Sequence, residues 1–217
     1  MRTKTIELFN YEELSPEAQA KARDWYREAS AGDSYWHESA IEDFCETARM
    51  LGFTLDRARG TRTIPAVYFS GFWSQGDGAS FAGSWLASDC KAAQLIADRP
   101  ATWTDDAGKV HKNAGNAELC RIAHEFGHLA KEWPGASGAI TVNGWYSHSG
   151  TMRADFYLAD DGDAAEVEET FLQASRDLAD WLYRVLEIEY EYMQSDEVVA
   201  ETIVANGYEF TEDGEIA

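Results

Sequence analysis

From about Asp163 to Tyr192 the chain repeats apolar side chains at helical spacing, with Val167, Phe171, Ala174, Leu178, Trp181, Leu182 and Val185 on one stripe. A helix of this length with a single apolar side needs another layer to cover it. The residues just before it supply one. Residues 139–146 and 151–158 alternate in hydropathy around Ser147-His148-Ser149-Gly150 and read as a hairpin. In the second arm Met152, Ala154, Phe156 and Leu158 face one way, and Thr151, Arg153, Asp155 and Tyr157 the other.

The rest of the chain fits the same scheme. Residues 5–9 read as a short strand. Ser15-Pro16-Glu17 is an N-cap, a first-position proline and a first-turn acid, opening a helix that ends near Ala31-Gly32. A second helix is expected from Ser34 to Leu51, with Ile41, Phe44, Cys45, Ala48 and Leu51 on one face and Gly52 as its stop. Phe53-Thr54-Leu55, Ala66-Val67-Tyr68-Phe69 and Phe81-Ala82-Gly83-Ser84-Trp85 read as strands. Ser88-Asp89 is expected to cap a short helix to Ala97, and residues 99–115 to be mostly loop. Further helices are expected from Asn116 to Trp133, and from a Ser195 cap to the stop at Asn206-Gly207. Strands come as hairpin-like neighbours and helices gather towards the chain's ends. The expected fold is therefore α+β, a single domain over 1–217, with an antiparallel sheet packed on one face by several helices.

Charge narrows the function. The 217 residues carry 18 Lys and Arg against 39 Asp and Glu, a formal net charge of −21. Such a surface repels nucleic-acid phosphates and anionic membranes, so neither direct nucleic-acid binding nor membrane association is expected. It could also fill the basic groove of a nucleic-acid-binding protein. No apolar run approaches the roughly 20 residues of a membrane helix, and the first residues lack a signal-peptide pattern. Cys45, Cys90 and Cys120 form no CxxC pair and read as reduced thiols of a cytoplasmic protein.

One motif looks catalytic. His124-Glu125-Phe126-Gly127-His128 fits H-E-x-x-H, in which two histidines one helical turn apart hold zinc and the glutamate takes a proton from zinc-bound water. Leu119, Ile122, Phe126, Leu129 and Trp133 form the apolar stripe of that helix, with His124 and His128 on its other side. A catalytic site needs a third ligand. The continuation Leu129-Ala130-Lys131-Glu132-Trp133-Pro134 lacks the further Gly and His of one zinc-protease class. Gly150-Thr151-Met152-Arg153-Ala154-Asp155 is one residue too long for another, and Glu166, Glu168, Glu169 and His148 remain as candidates. A zinc-dependent metallohydrolase is the alternative reading, and no cofactor is expected otherwise. No nucleophile-elbow, Walker-type or dinucleotide-binding sequence is present.

A second segment looks like a recognition loop. In Ser74-Gln75-Gly76-Asp77-Gly78-Ala79-Ser80 the glycines free the backbone, while Trp73 offers a flat stacking surface and Ser74, Gln75, Asp77 and Ser80 offer donors and acceptors. Gly71-Phe72-Trp73-Ser74-Gln75 is echoed by Gly144-Trp145-Tyr146-Ser147-His148, which suggests two similar loops side by side. Candidate binding residues are Trp73, Ser74, Gln75, Asp77, Ser80, Tyr146 and His148.

Three stretches carry a resemblance: Tyr68 to Phe81, Tyr146 to Gly150, and Ser195 through Asn206-Gly207-Tyr208-Glu209-Phe210-Thr211-Glu212-Asp213-Gly214. They resemble a family of small acidic proteins of bacteriophages and prophages, some of which carry the label antitoxin of a toxin–antitoxin system. The resemblance implies a phage origin and no known catalytic residue; His124 and His128 depart from the family's pattern. The expected function is that of a phage accessory protein in the cytoplasm of the infected host, binding a host bacterial protein stoichiometrically as a counter-defence inhibitor. A small-molecule sponge that holds its ligand in the glycine loop is a further alternative.

Overall fold

The computed structural model describes residues 7–32, 35–144, 146–159, 162 and 164–217. In chain order its elements are β1 (Phe9–Asn10), α1 (Pro16–Ser30), α2 (Glu38–Met50), β2 (Phe53–Leu55), β3 (Val67–Phe69), β4 (Ala79–Phe81), β5 (Gly83–Leu86), α3 (Ala92–Asp98), β6 (Thr102–Thr104), β7 (Val110–Lys112), α4 (Ala114–Glu132), β8 (Ser137–Val142), β9 (Met152–Tyr157), α5 (Ala165–Met193), α6 (Asp196–Asn206) and β10 (Glu209–Phe210). The strands pair antiparallel throughout, and the fold is α+β. Two compact units are formed, residues 39–187 and residues 1–38 with 188–217.

The larger unit is built on a four-stranded sheet of order β2-β5-β8-β9. Phe53, Trp85, Gly138 and Phe156 lie in register across it and form its apolar row. Onto this row α4 lays Phe126, 5.3 Å from Phe53, and α5 lays Phe171, 5.4 Å from Trp85 and 5.2 Å from Phe156. Full burial of a side chain such as Phe171 is worth roughly 1.5–3 kcal/mol. The row has a gap at Gly138 because the Phe171 ring fills it: a Cβ there would stand 2.8 Å from the ring. Trp85 satisfies its buried indole N–H by donating to the Leu51 carbonyl at 2.7 Å. Thr54, Ser84, Thr141, Arg153, Asp155 and Tyr157, on the other face, are exposed, so helices cover one face only.

The β9 edge of the sheet is closed by side chains of α5. Phe156 N–H donates to Glu168 Oε2 at 3.0 Å, and Arg176 donates to the Met152 carbonyl at 3.3 Å. Both contacts occupy backbone groups that would otherwise template a further strand.

In the smaller unit Ser15 accepts from Ala18 N–H and Ser195 from Val198 N–H, each opening its helix as the sequence indicates. Gly207 ends α6 at φ +65°, the left-handed conformation glycine tolerates best. Tyr11, Leu14, Ala18, Ala22, Val199, Ile203 and Phe210 form the core of this unit. Arg23 and Arg27 both meet the Asp196 carboxylate, at 3.2 and 2.5 Å.

Several elements differ from expectation. The first strand is β1, paired with β10; residues 5 and 6 lie outside the described residues. The α2 helix begins at Glu38, and Ser34 is likewise outside them. The strand expected over Phe81–Trp85 is two strands broken at Ala82, whose N–H bonds the Ala66 carbonyl while its own carbonyl accepts from Asp56. Ser88 caps no helix: its hydroxyl bonds Asp89, and α3 starts later with no side-chain cap. Residues 99–115 contain the β6–β7 hairpin, which turns where Asp105 Oδ1 accepts from Ala107 and Lys109 N–H. Its strands are almost wholly exposed, so no alternation of hydropathy marks them. The α4 helix starts at Ala114 rather than at Asn116, and its cap is Asn113, accepting from Asn116 N–H at 2.9 Å. Asp163 lies outside the described residues, and α5 begins at Ala165.

Candidate functional site

β3 and β4 form a hairpin whose connection, residues 70–78, belongs to the larger unit. The loop is held from within. Ser70 N–H bonds the Gly78 carbonyl at 3.1 Å, Asp77 N–H bonds the Ser74 carbonyl at 3.1 Å, and the Asp77 carboxylate accepts from Ser74 N–H at 2.7 Å. Asp77 thus serves first as the clamp of its own turn. From α5, Tyr183 donates its hydroxyl to the Gly71 carbonyl at 2.8 Å, and its ring lies 5.4 Å from Phe72. Burial, with the carboxylates of Asp77 and Glu187 nearby, pushes the Tyr183 hydroxyl up from its ordinary value, so it remains a donor at neutral pH.

The loop between β8 and β9 packs against the first. The Tyr146 ring lies over Gly76, where a Cβ would stand 3.3 Å from it, and His148 lies over Gly78, where a Cβ would stand 3.0 Å from the imidazole. The two echoed segments therefore sit side by side. Trp145 lies outside the described residues. Trp73 is 72% exposed and Tyr146 65% exposed, so two large aromatic groups face solvent from one loop pair. Ser74 and Gln75 are exposed beside them, and Asp77 is half-buried.

His148 Nδ1 accepts from Gly150 N–H at 2.8 Å. The ring proton is then on Nε2, and the exposed imidazole presents a donor rather than a basic lone pair. Among the described residues no hydroxyl or thiol hydrogen-bonds to it. Ser80, expected among the loop's donors, is fully buried in β4, and its hydroxyl has no hydrogen-bond partner among the described residues. It belongs to the hairpin rather than to the exposed surface. Tyr183 was not foreseen: its contact with Gly71 joins elements far apart in sequence, and nothing local marks it.

The H-E-x-x-H segment is elsewhere in the unit. His124, Glu125 and His128 are exposed on α4, opposite the buried Leu119, Ile122, Phe126 and Leu129. Together with Ala92, Ala93, Ile96, Gly127 and Lys131 they line an open groove of about 670 Å³ between α3 and α4. Among the described residues no group of three or more His, Cys, Asp and Glu is placed to hold a metal ion. A catalytic zinc ordinarily takes three protein ligands, so these residues do not fit one. Of the carboxylates considered as third ligand, Glu168 is engaged at the β9 edge.

Fold and site together define an α+β protein with a two-loop, aromatic-bearing surface. The chain matches, over residues 36–196, the family described as a domain of unknown function (DUF8835), and it belongs to that family. No curated protein and no solved structure matches it. Among the described residues no helix is long and apolar enough to cross a membrane.

Proposed function

We propose that the chain is a non-catalytic binding protein that anchors a macromolecular partner on its two-loop surface. The observation that carries this is the seating of Tyr146 on Gly76 and His148 on Gly78, which joins separate loops into one surface with Trp73 and Tyr146 exposed. Large aromatic side chains are over-represented among the residues that dominate binding energy at interfaces. The net charge of −21, with Asp77 and Glu187 close to the Tyr183 hydroxyl beneath the loop, favours a partner with a basic surface. Taken with the resemblance to phage proteins, the reading is a phage accessory protein. It would act in the cytoplasm of the infected bacterium by occupying a host protein, one that itself binds nucleic acid, as a counter-defence inhibitor.

The test is retention of a host protein by the immobilised chain, compared with Trp73→Ala and Tyr146→Ala. Each variant should weaken binding by about 2 kcal/mol or more while the melting temperature stays put. Binding should also fall as salt rises. Retention that is indifferent to both substitutions would remove the loop surface from the reading, and retention of no protein would remove the reading itself.

A further inference from the structure

We propose that His124 and His128 form a two-imidazole clip for an exchangeable divalent transition-metal ion on the α3–α4 groove. Both histidines are exposed on a 19-residue helix, so the turn between them is regular on either side. Residues four apart on such a helix are neighbours on its surface, within reach of one ion. The helix itself is firmly seated. Gly127, between the histidines in sequence, approaches α3 so closely that a Cβ there would stand 3.2 Å from Ala92. Ile96 and Lys131 lie along the same groove.

The chemistry selects the class of ion. Imidazole nitrogens suit Zn²⁺, Cu²⁺ and Ni²⁺, whereas Mg²⁺ and Ca²⁺ require oxygen ligands. With two protein ligands the ion keeps several positions for water, so it exchanges freely and serves no built-in hydrolytic step. The strongly negative chain raises the local concentration of any divalent cation. One contact must yield: His128 Nε2 lies 3.5 Å from Glu132 Oε1, an exposed pair whose loss costs little.

The experiment is calorimetric titration of Ni²⁺ into the untagged full-length chain, with excess Mg²⁺ present throughout. One Ni²⁺ per chain should bind, and Mg²⁺ should not compete. His124→Gln and His128→Gln should each weaken Ni²⁺ roughly a hundredfold, because the second imidazole acts at high effective concentration. His111→Gln, on the β6–β7 hairpin, should leave binding unchanged, and circular dichroism should show the same helicity in all three variants. Absence of Ni²⁺ binding, competition by Mg²⁺, or wild-type affinity in either the His124 or the His128 variant would each overturn the clip.

Discussion

Tyr146 lies across Gly76, and the glycine is there for two reasons. Its backbone has φ of +92°, and a Cβ would stand 3.3 Å from the Tyr146 ring. Gly76→Ala should therefore strain the turn and displace the ring together, at about 1–3 kcal/mol. Chemical denaturation would measure the cost, and partner binding should fall further than in a variant of equal stability elsewhere.

Gly138 and Phe171 make a tighter pair in the core. Adding one methyl group at Gly138 drives it into the Phe171 ring, so Gly138→Ala should destabilise by roughly 1–3 kcal/mol through overpacking. Phe171→Ala removes the ring altogether and should cost about 3–5 kcal/mol. Urea unfolding of both variants checks the order. In the double variant the new methyl meets a vacated space, so the two costs should not add.

At the sheet edge, Glu168→Ala leaves Phe156 N–H without its acceptor. A loss of about 1 kcal/mol is expected. The more telling readout is light scattering on prolonged incubation: exposing the β9 edge should speed aggregation relative to Glu166→Ala, a change at an exposed residue of the same helix.

Asp196 gives a pH dependence with a definite sign. Its hydrogen bond from Arg27 lowers the carboxyl pKa, and Arg23 adds to the effect. The folded state thus holds the proton less tightly than the unfolded state. Stability from this group is present above the ordinary carboxylate range and is lost as pH falls through the lowered folded value. Carboxyl NMR should show Asp196 titrating below the usual Asp range and returning towards it in Arg27→Gln. The difference in melting temperature between wild type and Asp196→Asn should shrink on acidification.

Helices were the most legible part of the chain because their signals are local. Ser15 and Ser195 as caps, Gly207 as a stop and the stripe through Phe171, Leu178 and Leu182 all act within a turn or two, and each does what its sequence indicates. The alternation of Met152, Arg153, Phe156 and Tyr157 likewise appears as buried and exposed sides of β9. What misled was local chemistry with two outcomes. Ser88-Asp89 has the composition of a cap but closes on itself, and Thr102–Thr104 forms a strand with no buried side to reveal it. At the site, the sequence marks Trp73, Ser74, Gln75, Tyr146 and His148, and these five side chains are exposed, whereas Asp77 is half-buried. Ser80 was misplaced because the loop gives way to strand one residue before it, and Tyr183 was missed because its bond to Gly71 is made only in three dimensions.

The seating of Tyr146 on Gly76 and of His148 on Gly78 also bears on timing. Ribosomes release the chain from its N-terminus, so the glycine loop emerges well before the residues that lie upon Gly76 and Gly78. Until the β8–β9 connection has been made and folded back, the nascent loop lacks half of its surface. A partner that recognises the joined loops would consequently distinguish finished molecules from incomplete ones, and truncated translation products would not compete for it.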